Sequence, residues 1–294
     1  MIDAHFGYPD GIAAWMLAKT IGCPFVVTLR GSELLHAKYH LRRFWLRRAL
    51  QAAARVITLS GQLRDFTISL GVPPEKVVTV PNGVDATIFF PRDRDECRKM
   101  LGIPGSAKVI LSAGHLIALK GHHRIVRALK SLVTKHSTAL LLIAGGGGDM
   151  GSYAGEIRRE IASCGLNDHV RLLGHVVPER LAALMSAADI FCLASSREGW
   201  PNVVHEALAC GTPVVATAVG AVPALVPSDD YGLVVAVDDQ PLLEAALQRA
   251  IERPWDRHAI SKWGRSRSWT EVGREAVVEL RRASDQMCDA PAFT

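Results

Sequence analysis

Short runs of apolar and β-branched residues alternate along the chain with segments whose apolar positions recur at helical spacing. In the first part, the apolar runs lie at 24–29, 55–59 and 76–80, and the helical segments between them lie at 38–54 and 61–70. This β-α-β-α-β order is typical of a parallel sheet covered by helices. Because only three strands are visible, we expect this part to be half of a domain whose N-terminal half is missing from the chain.

The turn-forming residues Pro81, Asn82 and Gly83 separate this series from a longer one of the same kind. Six strands are predicted in the longer series, at 109–113, 139–144, 170–173, 189–193, 213–217 and 233–235. Its helical segments lie at 121–135, 152–164, 178–187, 202–210 and 240–252. Six strands with their crossovers make a complete doubly wound domain, so the pattern predicts an α/β fold with two parallel sheets.

Apolar residues make up 49% of the chain and charged residues 21%, a globular composition that excludes a disordered or disulfide-framework protein. No apolar run reaches the ~18–20 residues of a membrane helix, and the start, Met1-Ile2-Asp3, shows no signal peptide. The six cysteines are scattered without a CxxC pair, which indicates reduced residues and not metal ligands. Together these features predict a cytoplasmic protein.

The excess positive charge is local. Residues 1–56 hold eight Lys and Arg against three Asp and Glu, whereas the rest of the chain holds 26 of each kind. A basic patch of this sort favours an anionic surface or an anionic substrate. We expect no nucleic-acid partner, because aromatic residues are only 6% and no zinc-finger, RRM or KH pattern occurs.

The densest group of candidate residues, 196–206, joins a predicted strand to a predicted helix. Backbone N–H groups at the start of such a helix can bind a phosphate. Two carboxylates lie here, Glu198 in the loop and Glu206 about one turn into the helix. A carboxylate cannot bind a phosphate directly, but it can accept hydrogen bonds from the hydroxyls of a sugar or a ribose. The spacing equally allows a helix cap for Glu198 and a solvated helix face for Glu206.

A second group follows the first strand of the longer series. Gly114 lets the backbone approach a ligand, Lys120 is a point charge suited to a diphosphate, and His115 could donate to the same group. The alternative for Lys120 is a solvated surface position. His122 and His123 are adjacent and therefore point in different directions on a helix, which argues against a metal site.

Two further loops carry weaker signals. Gly146, Gly148 and Gly151 fit the GxGxxG pattern of dinucleotide-binding loops, but the next strand ends in Gly174 and His175 instead of the acidic residue that the pattern requires. The segment 28–33 follows a strand, and there Arg30 could face an anionic leaving group or acceptor, while Ser32 or Glu33 could cap the next helix. No GxSxG or HExxH motif supports a hydrolase.

A basic helix is predicted at 38–54. Four of its arginines bracket an aromatic and aliphatic stretch, Phe44-Trp45-Leu46. Such a helix can lie on anionic lipid, which makes the following residues candidates for contact with a membrane surface: Arg42, Arg43, Trp45, Arg47 and Arg48. The alternative is a surface helix that packs on its own sheet with solvated arginines.

Four motifs together resemble those of the retaining glycosyltransferases of family 4, the group 1 type with the GT-B fold. They are Val-Pro-Asn-Gly-Val-Asp at 80–85, Gly-x-Leu-x-x-x-Lys-Gly at 114–121, Arg-Glu-Gly-Trp-Pro-Asn at 197–202 followed by Glu206, and Ala-Cys-Gly-Thr-Pro-Val-Val-Ala at 209–216. The resemblance runs from about residue 3 to 282. The segments 3–11 and 28–33 look like the branch that builds exopolysaccharide or lipopolysaccharide in bacteria.

The resemblance implies transfer of a sugar, with retention of anomeric configuration, from a UDP- or GDP-linked donor to a glycan or lipid-linked acceptor. No cofactor and no metal are implied. Lys120 would bind the donor diphosphate, and Glu198 would bind the hydroxyls of the sugar. Glu206 would bind the ribose, and Val177 would lie against the base. The catalytic candidates implied are Glu198, Lys120 and Arg30. The donor-binding residues implied are Gly114, His115, Lys120, Val177, Glu198, Gly199, Trp200, Pro201, Asn202, Val203 and Glu206.

The chain departs from the family pattern at several points. His115 stands where the family usually has Arg, Arg30 stands where it usually has His, and the segment 220–224 lacks the usual carboxylate. Family members begin with further strands and a Gly-rich loop, so the resemblance predicts an N-terminally truncated chain with an incomplete first Rossmann-like domain.

Three domains are therefore expected: a partial acceptor-side domain at 1–88, a nucleotide-sugar-binding domain at 89–268, and a helix at 269–294 that crosses back to the first domain. Two alternatives to an active transferase stay open. One is a catalytically inactive nucleotide-binding remnant or scaffold that docks on a membrane or a partner. The other is a nicotinamide-dependent oxidoreductase, which rests only on residues 146–151. The basic helix adds peripheral binding to the inner face of the plasma membrane as an expectation.

Overall fold

The structure is a computed structural model that describes residues 1–147 and 153–288, with side chains described to residue 285. Contacts divide the chain into two units. The first unit holds Met1–Gly83, Glu198–Trp200 and the segment from Arg267 onward, and the second holds Val84–Arg197 and Pro201–Ser266. The unit boundaries thus fall near residues 83 and 267. The boundaries expected from the sequence lie at residues 88 and 268.

A four-stranded parallel sheet in the order β1-β2-β3-β4 forms the centre of the first unit. Its strands are β1 (Ile2–His5), β2 (Phe25–Leu29), β3 (Arg55–Thr58) and β4 (Val77–Thr79). Its helices are α1 (Asp10–Ile21), α2 (Glu33–His36), α3 (His40–Ala52), α4 (Gly61–Ser69) and, at the end of the chain, α13 (Trp269–Cys288). A 3₁₀ turn, Pro74–Lys76, leads into β4.

The first sheet has four strands, whereas the sequence pattern predicts three. The pattern misses β1 and also the helix α1. β1 buries only Ala4, and a single buried position gives no period-2 signal. α1 is apolar around most of its circumference, with Met16, Leu17 and Ile21 exposed, and a helix without a polar face lacks the stripe that identifies it.

Both faces of the first sheet are covered. Val27 and Leu29 of β2 point to one face, where they pack with Leu46 and Leu50 of α3. On the other face, α13 places Ala283 in a second cluster of buried side chains, with Val26, Ile57 and Val80. Alternation along β2 explains this division, because successive side chains of a strand point to opposite faces.

The second unit contains a six-stranded parallel sheet in the order β10-β9-β8-β5-β6-β7. Its strands are β5 (Lys108–Ala113), β6 (Ala139–Ala144), β7 (Val170–Gly174), β8 (Ile190–Leu193), β9 (Val214–Thr217) and β10 (Gly232–Val235). Its helices are α5 (Arg94–Met100), α6 (His122–Lys135), α7 (Ala154–Ser163), α8 (Pro178–Ala187), α9 (Asn202–Ala209), α10 (Val222–Leu225), α11 (Gln240–Glu252) and α12 (Arg257–Gly264). The predicted α/β class with two parallel sheets is confirmed.

The strand order of the second sheet reverses between β5 and β8. From β5 the chain moves outward through β6 and β7, and it then returns to the other side of β5, where β8 pairs with it in parallel. The loops that follow β5 and β8 therefore leave the sheet in opposite directions. In open α/β sheets, ligands bind in the crevice at the carboxyl ends of strands at such a switch point.

Candidate functional site

Three loops meet at the carboxyl edge of the second sheet. The Gly114 N–H donates to the Ala144 carbonyl and the Leu116 N–H donates to the Gly146 carbonyl, each at 2.9 Å, which ties the loop after β5 to that after β6. The Ser196 N–H donates to the Leu119 carbonyl at 2.9 Å and adds the loop after β8. The switch-point loops are thus fixed to one another by backbone hydrogen bonds.

Two glycines make this contact between loops sterically possible. Gly121 has φ +69°, and a Cβ there would lie 1.9 Å from the Ala194 carbonyl oxygen. Gly145 has φ +157°, and a Cβ there would lie 1.8 Å from the Gly114 carbonyl oxygen. A side chain at either position would separate the loops, since no real Cβ approaches an oxygen so closely.

Lys120 ends a short 3₁₀ turn, Ala118–Lys120, directly before α6. Its aliphatic stem runs beside Gly114, whose Cβ, if present, would lie 3.5 Å from the Lys120 Cδ. The Lys120 ammonium and the positive end of the α6 helix dipole both contribute positive potential at this point. His115 is exposed in the same loop. The structure thus brings together Gly114, His115 and Lys120, three of the predicted donor-binding residues.

His122 lies beneath this loop. Its Nδ1 lies 3.1 Å from the Ser112 Oγ, and its ring is almost fully buried. Burial lowers the pKa of His122 to about 4, although the nearby backbone of Gly114 and His115 acts in the opposite direction. The histidine is therefore neutral at physiological pH. Among the described residues, no three His, Cys, Asp or Glu side chains gather into a metal-binding group.

Glu206 lies on α9, which begins at Asn202 after Pro201, a residue whose side chain has no group to cap the helix. Asn202 is exposed, Val203 is partly buried and Pro201 is buried. Glu206 is only partly exposed, and burial raises its pKa to about 7. A solvated helix face, one of the alternatives for Glu206, does not fit this environment. A carboxyl that titrates near neutral pH is typical of a functional site.

Glu198, Gly199 and Trp200 belong to the first unit. Within that unit Gly199 lies against the turn after β2. A Cβ on Gly199 would come 1.9 Å from the Arg30 carbonyl oxygen, and a Cβ on Gly31, where φ is +117°, would come 2.6 Å from the Gly199 Cα. The backbone of Arg30 and the Glu198 loop, which are 168 positions apart in the sequence, are therefore in contact.

Arg30 is held by side chains at the end of β1. Its Nη2 lies 2.8 Å from the His5 Nδ1, and the His5 Nε2 lies 3.5 Å from the Asp3 Oδ2. Glu33 does not cap the following helix with its side chain. It is fully buried, and its two carboxylate oxygens accept from the backbone N–H groups of Gly7 and Gly31, each at 2.8 Å. Sequence reasoning missed both arrangements.

Val177 lies at the start of α8, after β7, at the carboxyl edge of the second sheet, and it is 52% exposed. An exposed valine at this edge could pack against a planar ring. Ala221 in the loop after β9 and Val222 at the start of α10 are buried and carry no carboxylate. Of the GxGxxG segment, Gly148 and Gly151 lie outside the described residues, and only Gly146 and Gly147 are described.

The basic helix α3 has two distinct faces. Leu46, Ala49 and Leu50 are buried against the sheet. Arg42 is partly buried, with its guanidinium 5.2 Å from the centroid of the Tyr8 ring and its Nη1 3.1 Å from the His36 Nδ1. The remaining candidates for membrane contact are exposed: Arg43, Trp45, Arg47 and Arg48, beside Leu41 and Phe44. Within the described part of the chain, no helix is long and apolar enough to span a bilayer.

Two family models match the chain. The model described as "Glycosyl transferases group 1" matches residues 93–267, and that described as "Glycosyltransferase Family 4" matches residues 1–88. The two matches correspond in large part to the second and first structural units. Together they confirm the family resemblance that the motifs indicate.

Curated relatives agree with these matches. N-acetyl-alpha-D-glucosaminyl L-malate synthase of Bacillus anthracis is 28% identical over 287 residues, which cover 96% of this chain and 71% of the relative. D-inositol 3-phosphate glycosyltransferase of Acidothermus cellulolyticus is 32% identical over 251 residues, which cover 80% of this chain and 56% of the relative. The matched region thus spans between about half and three quarters of these longer proteins.

Solved structures share the fold. Sucrose-phosphate synthase from Thermosynechococcus elongatus aligns with a TM-score of 0.83 at 24% identity, covering 98% of this chain and 74% of that one. Anabaena Alr3699/HepE in complex with UDP aligns with a TM-score of 0.83 at 20% identity, covering 92% of this chain and 76% of that one. The predicted GT-B fold is confirmed by these alignments.

Proposed function

The chain belongs to the group 1 glycosyl transferases, and on that premise we propose that it transfers a sugar from a nucleotide-sugar donor to a glycan or lipid-linked acceptor, with retention of anomeric configuration. The observation that carries the proposal is the switch point of the second sheet. There Lys120 and the start of α6 follow β5, while α9 with Glu206 follows β8.

The donor diphosphate would bind at this switch point. The positive ends of the α6 and α9 helix dipoles would face the anion, and the Lys120 ammonium adds a full positive charge. These groups would bind the leaving nucleoside diphosphate more strongly as its negative charge develops in the transition state. The positive charge required for departure of the diphosphate would therefore come from the chain's own residues.

The two glutamates would bind hydroxyl groups. Glu206 would accept a hydrogen bond from a ribose hydroxyl or donate one to it, since a carboxyl with a pKa of about 7 is available in both forms near neutral pH. Glu198 would hold hydroxyls of the transferred sugar, with backbone contacts from Gly199–Asn202. Val177 would lie against the base, where an exposed aliphatic side chain can pack on a planar ring.

We propose UDP as the nucleotide. Anabaena Alr3699/HepE has been solved in complex with UDP, and it shares the fold of this chain. The matched relatives include a putative teichuronic acid biosynthesis glycosyltransferase of Bacillus subtilis, which is 29% identical over 259 residues. Synthesis of a bacterial cell-surface polysaccharide at the inner face of the plasma membrane is therefore the proposed setting.

An anionic membrane surface is proposed as a further partner. The exposed face of α3 combines Arg43, Arg47 and Arg48 with Phe44 and Trp45. Such a face favours the interface of an anionic bilayer, where aromatic rings enter the headgroup region and guanidinium groups pair with phosphates. A lipid-linked acceptor would be reached from that position.

Hydrolysis of the donor in the absence of an acceptor tests the proposed reaction. The chain is incubated with UDP-glucose. Proton NMR then identifies the anomer of the first glucose released by the signal of its anomeric proton. We expect slow release of α-glucose, which requires retention, and a loss of about tenfold or more in Lys120→Ala. Release of β-glucose first would contradict retention. If the chain binds the nucleotide but shows no turnover with any donor or acceptor tested, the alternative of an inactive remnant or scaffold is favoured.

A further inference from the structure

Asp3, His5 and Arg30 form a line of side chains across the two strands β1 and β2. β1 and β2 are parallel neighbours, and His5 pairs with Thr28. Arg30 lies two residues beyond Thr28 along the chain. Asp3 and His5 are two positions apart on β1 and share a face of the sheet, while Ala4 between them is buried on the other. The pairing of the two strands therefore places all three side chains at the same carboxyl edge.

The hydrogen bond between Arg30 and His5 indicates which ring nitrogen of the imidazole accepts. An arginine guanidinium can only donate, so the His5 Nδ1, which lies 2.8 Å from the Arg30 Nη2, must accept and carry no proton. The proton of the neutral ring then lies on Nε2, which faces the Asp3 Oδ2 at 3.5 Å. A carboxylate on that side favours the same tautomer. Both neighbours thus favour the Nε2–H tautomer of His5 over the Nδ1–H tautomer.

The backbone beneath this line is also fixed. The buried Glu33 carboxylate accepts from the N–H of Gly7 after β1 and from the N–H of Gly31 after β2, each at 2.8 Å. The loop after β1 and the loop after β2 are therefore joined by one carboxylate, and the His5–Arg30 hydrogen bond also links the two strand ends. A long arginine side chain loses much rotamer freedom when it is held in this way, and the loss is already incurred before substrate binds.

We propose that Asp3 and His5 are positioning residues for Arg30, which they hold as a pre-oriented donor for an anionic group of a substrate. The proposal rests on the proposed function and on the expectation from the sequence motifs that Arg30 contributes to sugar transfer. His5 acts through Arg30: it accepts from the guanidinium, and Asp3 holds the imidazole in the tautomer that can accept. The remaining guanidinium N–H groups of Arg30 then point in a direction set by His5.

The first test does not require activity. In the wild-type chain labelled with ¹⁵N-histidine, we expect the long-range ¹H–¹⁵N spectrum to show His5 as the neutral Nε2–H tautomer, with an Nδ1 resonance shifted by a hydrogen bond. Arg30→Ala should remove that shift. An Nδ1–H tautomer in the wild type, or an Nδ1 resonance that Arg30→Ala leaves unchanged, would overturn the proposal.

The second test separates positioning from a merely structural role. His5→Asn keeps an oxygen near the Nδ1 position, whereas His5→Gln places its amide near Nε2 and leaves Arg30 without that acceptor. We expect kcat for transfer or donor hydrolysis to fall by about tenfold in His5→Gln and by less than about threefold in His5→Asn, with KM for the nucleotide sugar little changed. In the Arg30→Ala background, His5→Gln should cause no further loss.

The matched control is His40→Gln, which changes an exposed histidine at the start of α3 in the same unit and should leave kcat unchanged. Equal losses in His5→Asn and His5→Gln, or additive losses of His5→Gln and Arg30→Ala, would contradict positioning through Arg30. A wild-type chain that shows no turnover would contradict the proposed function instead. The tautomer of His5 and its response to Arg30→Ala would then decide the positioning proposal alone.

Discussion

Individual side chains in this protein take properties that depend on partners distant in sequence. Glu206 shows this most clearly. Its position one turn into α9 is compatible with a solvated carboxylate, yet burial raises its pKa to about 7. Glu33 likewise stands at the start of a helix, but its oxygens bind the N–H groups of Gly7 and Gly31. Local spacing could not distinguish these outcomes, since burial and tertiary hydrogen bonds decide them.

Replacement of Glu206 by Gln should change how stability depends on pH. The folded-state pKa of about 7 lies above the ordinary value of 4.5, so the folded state favours the protonated carboxyl. The stability contributed by this protonation is fully present below about pH 4.5 and is lost as the pH rises through about 7. The wild type should therefore lose up to about 3 kcal/mol between pH 5 and pH 8, and Glu206→Gln should not lose it.

Urea unfolding of the wild type and Glu206→Gln at pH 5 and pH 8 measures this difference. Glu179→Gln is the matched control, because it changes an exposed glutamate in the same unit and should follow the wild type at both pH values. A free energy of unfolding that differs between wild type and Glu206→Gln by the same amount at both pH values would show that the Glu206 carboxyl does not titrate in this range.

Elements of the second unit were more predictable than those of the first. β6 is buried along its whole length, and a continuous apolar run of that kind identifies a central parallel strand from sequence alone. β1 buries one residue and α1 lacks a polar face, so neither has a period that sequence could reveal. The motifs likewise identify the residues of the candidate site. The line from Asp3 to Arg30 could not be predicted, because it depends on the pairing of β1 with β2.

The start of α6 depends on the absence of a side chain at Gly121. In Gly121→Ala the new Cβ would lie 1.9 Å from the Ala194 carbonyl oxygen, and φ would stay at +69° or the turn would rearrange. We expect a loss of about 2–4 kcal/mol in stability and weaker nucleotide binding, since Lys120 and α6 must move away from β8.

The control for this prediction is Gly102→Ala. Gly102 also has a positive φ, +63°, but a Cβ there meets no atom within 4 Å. Thermal unfolding should show a loss of about 1 kcal/mol for Gly102→Ala, the cost of the backbone conformation alone. Equal losses in the two variants would contradict the role assigned to the contact between Gly121 and Ala194.

The last helix of the chain stabilises the first unit through a buried ion pair. The Arg55 Nε lies 2.8 Å from the Glu279 Oε2, and both side chains are largely buried between β3 and α13. Glu279→Ala would leave the Arg55 guanidinium buried without its carboxylate. We expect a loss of about 3–5 kcal/mol.

Hydrogen exchange reports where that loss occurs. In Glu279→Ala the amides of β2 and β3 should exchange faster, while those of β5 and β6 should be unaffected. Arg282→Ala is the control, because Arg282 also pairs with Glu279 at 2.7 Å but its side chain is 61% exposed, so we expect less than about 1 kcal/mol. Unchanged exchange in β3 would contradict the stabilising role of this pair.

At the scale of the whole molecule, the basic region and the groups proposed to bind the diphosphate lie in different units. The excess of basic residues lies within residues 1–56, all of them in the first unit. The groups proposed to bind the diphosphate, Lys120 and the starts of α6 and α9, lie in the second. Composition alone could locate the basic region, but only the strand order reveals that the loops after β5 and β8 meet at a switch point.

The basic region should bind anionic vesicles. Sedimentation with vesicles of phosphatidylglycerol and phosphatidylcholine should carry the chain down at low ionic strength and release it as salt increases, because the pairing is electrostatic. Reversal of charge at Arg47 and Arg48 to Glu should abolish binding. Reversal at two exposed arginines of α7, Arg158 and Arg159, provides a charge-matched control that should retain it. Equal loss in both variants would indicate a nonspecific effect of net charge.

Calorimetric titration with UDP and GDP tests the central claim most directly, namely that the switch point of the second sheet binds a nucleoside diphosphate. The account predicts that UDP binds the wild type and that Kd rises by about tenfold or more in Lys120→Ala and in Glu206→Ala. Lys130→Ala, a change at an exposed lysine of α6, should leave Kd within about twofold of the wild-type value. A folded chain that binds neither nucleotide, or UDP binding that is equally strong in all three variants, would contradict the claim.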